Sequence, residues 1–212
     1  MSKFLRFLAW TLFITGVLIG ILRFTVIRWW RVPTDDPYLE ASVAPSLRGG
    51  DWIILWRGTA PIEGNLVVCP EPKAPNRQVV GRIVGESIDH VKVGPEGLQV
   101  NRRSFENERS CDKFTINDPG SGQSVEQTCG REIVGSVTHL RGDTSQNLPA
   151  PGAAEVDVPA DHVFLVSDNR EFPWDSRDFG TVPRDTCTEA VIFRLVSKDG
   201  FFDVANRLML VR

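Results

Sequence analysis

The chain has 212 residues, 24 of them basic and 27 acidic, for a net charge of −3. That balance, with no patch interleaving aromatic and basic side chains, excludes a nucleic-acid binder. With 14 prolines and 18 glycines, and short apolar runs outnumbering long helical patterns, the composition predicts a mainly β fold rich in turns.

Residues 7–22, FLAWTLFITGVLIGIL, carry no charge. A bilayer core calls for about 20 apolar residues, and Arg23 at the edge can reach the headgroups while its stem stays among the acyl chains. Trp10, Trp29 and Trp30 suit interfacial positions. No small-residue cleavage pattern follows the run, so residues 1–31 read as an uncleaved membrane anchor rather than a signal peptide. Lys3 and Arg6 flank one side, and Arg23, Arg28 and Arg31 the other, so charge leaves the orientation open. Residues 32–38, punctuated by Pro33 and Pro37, read as a linker.

Residues 32–212 read as one β-rich, mostly antiparallel domain with a variable insert over about 104–160. Strands are expected at 52–56, 65–69, 78–84, 87–93, 98–100, 132–140, 162–166 and 190–196. VKVGPEGLQVN reads as a hairpin turning around Gly94 to Gly97. Residues 144–156, rich in Pro, Ala and Gly, read as an exposed loop.

The four cysteines, Cys69, Cys111, Cys129 and Cys187, form no CxxC pair and no cluster at metal-ligand spacing, so no metal is expected. Cys111 and Cys129 bracket a polar loop and suit a disulfide in an oxidising compartment. Cys69 and Cys187 sit by apolar runs and read as buried thiols.

Three further segments stand in order along the chain. The first is Ser42-Val43-Ala44-Pro45-Ser46-Leu47-Arg48-Gly49-Gly50-Asp51. The second is VVGRIVGESIDHV, residues 79–91. The third holds Asp168-Asn169-Arg170, Asp175-Ser176-Arg177, Gly180 and Val182-Pro183. Together they resemble the type I signal peptidases, a family of membrane-anchored serine endopeptidases that includes the mitochondrial inner-membrane proteases. The family's first box reads Ser-Met-x-Pro-Thr-Leu-x-x-Gly-Asp, and its last reads Gly-Asp-Asn-Arg … Asp-Ser-Arg-x-x-Gly-x-Val-Pro. The similarity covers roughly residues 1–183 and is weakest over 111–159.

The resemblance implies an antiparallel β peptidase domain behind one transmembrane helix, with Ser42 as nucleophile and no cofactor. A serine hydroxyl is a poor nucleophile until a neighbour takes its proton, and in the family a lysine kept neutral by burial does so. Pro45 and the Gly49-Gly50 pair would fix the turn after Ser42, and the Ser42 N–H is the candidate oxyanion donor. Asp51, Arg82, Asp168, Asn169, Arg170, Asp175, Ser176 and Arg177 are expected to brace the floor of the site.

The second box departs from the family's Lys-Arg-(apolar)-Val-Gly. Aligned on Arg82-Ile83-Val84-Gly85, the lysine position is Gly81; a shifted alignment puts Arg77 there, and a guanidinium cannot act as base. The serine that orients the lysine in the family is replaced by Pro173, and the residue two before the nucleophile is Glu40. If residues 40–42 were extended, Glu40 and Ser42 would share a face, making Glu40 the first candidate base. Lys73 and His90 are weaker candidates, and His139 and His162 have no motif around them.

Two readings follow. In the first, the chain cleaves extended leader peptides of exported precursors, bound by strand addition. In the second, it is a non-catalytic binding or scaffold subunit beside other membrane proteins. The expected location is the bacterial plasma membrane with the β domain on the exported side, or else the mitochondrial inner membrane.

Overall fold

A computed structural model describes residues 3–94, 97–105, 107–143 and 152–211, with the backbone alone for 107–110. The apolar run forms α1 (Lys3–Thr25), whose side chains bury nothing within the molecule. It is the one helix among the described residues long and apolar enough to cross a membrane. Val26 then leads directly into β1 (Ile27–Arg31). These five residues, counted with the anchor from sequence, pair antiparallel with β2 (Trp52–Trp56).

Between them lies α2 (Pro37–Ser42). Its start is a strong local signal: Asp36 caps it and Pro37 occupies the first turn, where its missing N–H and fixed φ cost nothing. Leu39, Val43 and Leu47, at helical spacing, bury against Ile53, Leu55, Val68 and Val80.

The remaining strands are β3 (Leu66–Glu71), β4 (Ala74–Gly85), β5 (His90–Gly94), β6 (Gly97–Val100), β7 (Arg103–Ser104), β8 (Asn107–Asn117), β9 (Ser124–Val134), β10 (Val137–Asp143), β11 (Ala154–Asp157), β12 (His162–Val166), β13 (Val182–Pro183), β14 (Glu189–Val196) and β15 (Met209–Leu210), with a short α3 (Ser176–Phe179). They make an eight-stranded sheet, ordered β1-β2-β14-β3-β4-β12-β13 with β15 also on β14, a three-stranded sheet β10-β9-β8 and a four-stranded sheet β11-β5-β6-β7. Every strand pair is antiparallel. Alternation along β3 sends Leu66 and Val68 to the α2 side and Val67 and Cys69 to the opposite side, where Ile83, Leu165 and Phe179 pack.

Several expectations are corrected. The expected strand 132–140 is two strands, because Gly135 at φ +60 makes a turn between them. The strand expected from 87 begins at His90, since Ile88 sits at φ 69 in a turn. The polar stretch between Cys111 and Cys129 is mostly strand, a long β8–β9 hairpin. Of the expected loop 144–156, Ala154 to Val156 pair with β5, and 144–151 lie outside the described residues, as do Pro95 and Glu96 of the expected hairpin turn. Cys69 and Cys187 are not free thiols but a disulfide, with Cα atoms 4.7 Å apart. Neighbouring strands β3 and β14 bring the two together. Cys111 and Cys129 are also bonded, directly opposite each other in the hairpin.

Candidate active site

The three sequence segments meet around one end of α2. Asn169 is the joint. Its backbone N–H donates to the Ser42 carbonyl at 3.0 Å, and its side-chain amide donates to the Ala41 carbonyl at 2.9 Å. The same amide pairs with the amide of Gln127 on β9, with bonds of 2.7 and 3.2 Å. All of this is buried, so each bond satisfies a group that has no water to turn to.

Next to Asn169, Asp168 receives a bidentate pair from Arg82, Nε to Oδ1 at 2.9 Å and Nη2 to Oδ2 at 2.8 Å. Arg82 also donates to the Gly64 carbonyl at 2.6 Å. Burial alone would raise the Asp168 pKa, but Arg82 and the hydrogen bonds outweigh it and hold the carboxyl below the usual range. Arg170 donates to the Ser167 carbonyl at 2.7 Å and pairs with Glu132. Asp175 caps α3, accepts from the Ser167 N–H at 2.8 Å and is gripped bidentate by Arg177. The Ser176 hydroxyl accepts from the Leu165 N–H at 2.9 Å. The expected floor is therefore a set of paired buried charges whose effect is to fix the backbone at 165–170.

The first box is clamped similarly. Asp51, fully buried, accepts from the Arg48 and Lys198 N–H groups at 3.0 and 2.8 Å and lies 3.3 Å from Arg194. Gly50 takes φ +94, a conformation glycine alone adopts readily. The Ala44–Pro45 bond is cis.

Ser42 itself is fully buried, and its hydroxyl donates to the Leu39 carbonyl at 3.0 Å. Residues 40–42 are helical rather than extended, so Glu40 and Ser42 stand about 200° apart around the axis. The Glu40 carboxyl rests on Gly49, where an added Cβ would come within 2.8 Å of it. Glu40 also lines a cleft of about 710 Å³ between α2 and β8, together with Pro45, Lys113 and Asp118. Gly81 lies on β4 on the face of Val79 and Ile83, where a Cβ would meet that of Leu165 at 3.0 Å. Lys73 is exposed and donates to the Asp178 carbonyl at 3.3 Å. His90 is an exposed strand-end residue beside Asp157 and Glu155.

Sequence reasoning passed over Gln127 and Glu132 and set His139 aside. They sit on the β9–β10 hairpin in a region of weak family resemblance, and nothing in their local pattern marks them. His139, fully buried, has its Nε2 3.3 Å from Glu132 and 3.7 Å from Asp168, and neither ring nitrogen makes a hydrogen bond. Burial first, then Arg82, holds its pKa below the ordinary imidazole value. Burial opposes ionisation of Glu132, yet Arg170, His139 and Arg141 hold its pKa far below the ordinary carboxylate value.

The chain is similar in sequence to known proteins. The Signal peptidase I of Pseudomonas aeruginosa is 26% identical over 187 residues, a match spanning 79% of this chain and 61% of that protein. The profile of the family described as signal peptidase, peptidase S26, matches residues 5–196. With most of the chain covered by that profile, and its three boxes folded into one buried joint around Asn169, the protein belongs to the signal peptidase S26 family.

Proposed function

We propose that the chain is a membrane-anchored serine endopeptidase that removes leader peptides from exported precursors, with Ser42 as nucleophile. The observation that carries this reading is the Asn169 joint, which binds the Ser42 carbonyl and continues into the Arg82–Asp168 pair. Such bracing fixes the backbone of a nucleophile to the tolerance that attack on a carbonyl demands.

In the proposed reaction the Ser42 oxygen attacks the scissile carbonyl carbon and gives its proton to a base. The oxyanion is held by backbone N–H groups including that of Ser42. The amine leaves with a proton, and water hydrolyses the acyl-enzyme. Position 81 supplies no amine, so the proton must go elsewhere, and Glu40, two residues before Ser42, is the first candidate.

The location follows from three supports. An apolar helix of 23 residues suits a bilayer. Disulfides form and persist where the environment is oxidising, which favours the exported side of a bacterial plasma membrane over the cytosol, the mitochondrial inner membrane being the alternative. Trp29, 54% exposed on β1 directly after α1, suits contact with lipid headgroups. The other expected partners are extended precursor peptides and further membrane subunits.

The test is cleavage of an exported precursor by the detergent-solubilised full chain. Product is expected with the wild type, lost in Ser42→Ala and Glu40→Gln, and kept in Lys73→Met. Absence of product with the wild type, or its persistence in Ser42→Ala, overturns the reading; the first outcome favours the non-catalytic scaffold.

A further inference from the structure

A serine whose hydroxyl is fully buried and bonded to the carbonyl of its own helix cannot meet a peptide. It is the last residue of α2, a helix of six residues. A helix that short has no independent stability in water. Its hold on the molecule is therefore the thing to explain.

The hold is concentrated at its first turn. The Asp36 carboxylate accepts the Leu39 N–H at 3.1 Å and is gripped by Arg77 Nε and Nη2 at 2.8 and 2.9 Å. The Arg77 guanidinium stacks over the Trp174 ring at 4.2 Å, and the Tyr38 ring stands 5.4 Å from that same indole. Trp174 Nε1–H donates to Glu71 at 3.2 Å. The start of α2 is thus tied to the beginning of β4 and to the third box. The end of α2 is tied separately, through Asn169.

We propose that Asp36, Arg77 and Trp174 form a latch that holds α2 in a resting state, and that its release lets residues 37–42 extend. Extension uncovers Ser42. It also changes the side-chain period from 3.6 to 2, which carries Glu40 from the far side of the helix to the face of Ser42. One motion thereby assembles nucleophile and base. The bonds from Asn169 to Ala41 and Ser42 act as the pivot. An extended peptide laid by strand addition beside residues 74–81 of β4, the stretch that β12 does not pair with, would take the place of the first turn of α2 and favour the open state by mass action. The buried Leu39 favours the closed state when no peptide is present. Asp36, Arg77 and Trp174 are positioning residues in this scheme and touch no substrate.

The purpose of the latch rests on Ser42 being the nucleophile, whereas its detection does not. All four native cysteines are in disulfides, so Ser42→Cys gives the full chain a single free thiol. Its alkylation by N-ethylmaleimide, followed by mass spectrometry in detergent, reads exposure at position 42 with no turnover involved. In the Ser42→Cys parent the rate is expected to be at least a hundredfold below that of the urea-unfolded chain. Asp36→Asn keeps the helix cap and removes the charge. It and Arg77→Gln should each raise the rate about fivefold, in line with a partly exposed ion pair, and the double variant should do no more than either alone. The urea midpoint of unfolding should fall by no more than about 0.5 M, the same loss read globally. Arg184→Ala, which breaks the distant pair with Glu86, should leave the rate unchanged. Equal rates in parent and latch variants, a parent thiol as reactive as the unfolded one, or a labelling rate with the same urea dependence as global unfolding would each overturn the latch. Precursor cleavage with Ser42 restored is scored separately: its failure with the labelling pattern intact counts against the peptidase alone.

Discussion

Asp168→Asn tests the idea that buried charge pairing fixes the site. The substitution keeps the shape of the side chain, so it opens no cavity. It removes the charge facing an Arg82 guanidinium that is itself 0% exposed. One of the two bonds from Arg82, at 2.9 and 2.8 Å, loses its acceptor, and the guanidinium keeps its bond to the Gly64 carbonyl. Breaking one side of a buried pair costs about 3–5 kcal/mol, because the surviving charge stays buried uncompensated. Against a typical total of about 5–15 kcal/mol, that is about a fifth or more of the stability. With a urea slope of about 2 kcal/mol per M for a domain of this size, the midpoint should fall by about 1.5–2.5 M. The assay is tryptophan fluorescence of the detergent-solubilised chain. Replacing both partners with apolar side chains, Arg82→Met with Asp168→Leu, should recover much of the loss, since no unpaired charge remains. A midpoint shift under about 0.5 M, or a double variant worse than the single one, would refute the reasoning.

Asn169→Ala leaves the buried Ala41 carbonyl and the Gln127 amide without their partner; it should cost about 1–3 kcal/mol and, measured as single-turnover cleavage, lower the rate of the chemical step more than peptide binding. The disulfides should rank by the loop each closes: removing Cys69–Cys187, 118 residues apart, should cost about 5 kcal/mol and removing Cys111–Cys129, 18 apart, about 3 kcal/mol. Urea titrations of the two double-alanine variants check the order. Acid should destabilise the chain in two stages. His139 has a lowered folded pKa, so below about pH 6.5 the unfolded state binds the proton that the native state refuses, and stability falls by up to about 1.4 kcal/mol per pH unit. Asp168, Asp175 and Glu132 are also held low, so a second loss sets in below about pH 4 as their unfolded forms protonate first. Stability measured against pH should lose the first stage in His139→Gln and keep the second.

The large sheet was legible because its strands declare themselves by apolar runs: 52–56 and 162–166 have the expected bounds, and 190–196 falls one residue short. The long β8–β9 hairpin was hidden because its alternation pairs small or polar side chains with charged ones, and a disulfide supplies the contact that apolar residues make elsewhere. The helix at Pro37 was masked by reading Pro33 and Pro37 as linker punctuation, although Asp36 before Pro37 is a helix-start signal. That single difference decides where Glu40 points. The floor residues Asp168 to Arg177 were legible as a group from the resemblance, but their partners Gln127 and Glu132 come from far along the chain. Tertiary packing alone brings them together.

The passage from α1 to β1 leaves no slack. One residue, Val26, separates them; its N–H bonds back to Leu22 at 3.0 Å and its carbonyl accepts from Arg57 at 2.8 Å. With α1 in a bilayer, so short a connection would keep the start of β1 close to the lipid boundary. For the proposed peptidase such a body would act as a ruler, selecting bonds by their distance from the membrane surface before any side chain is read.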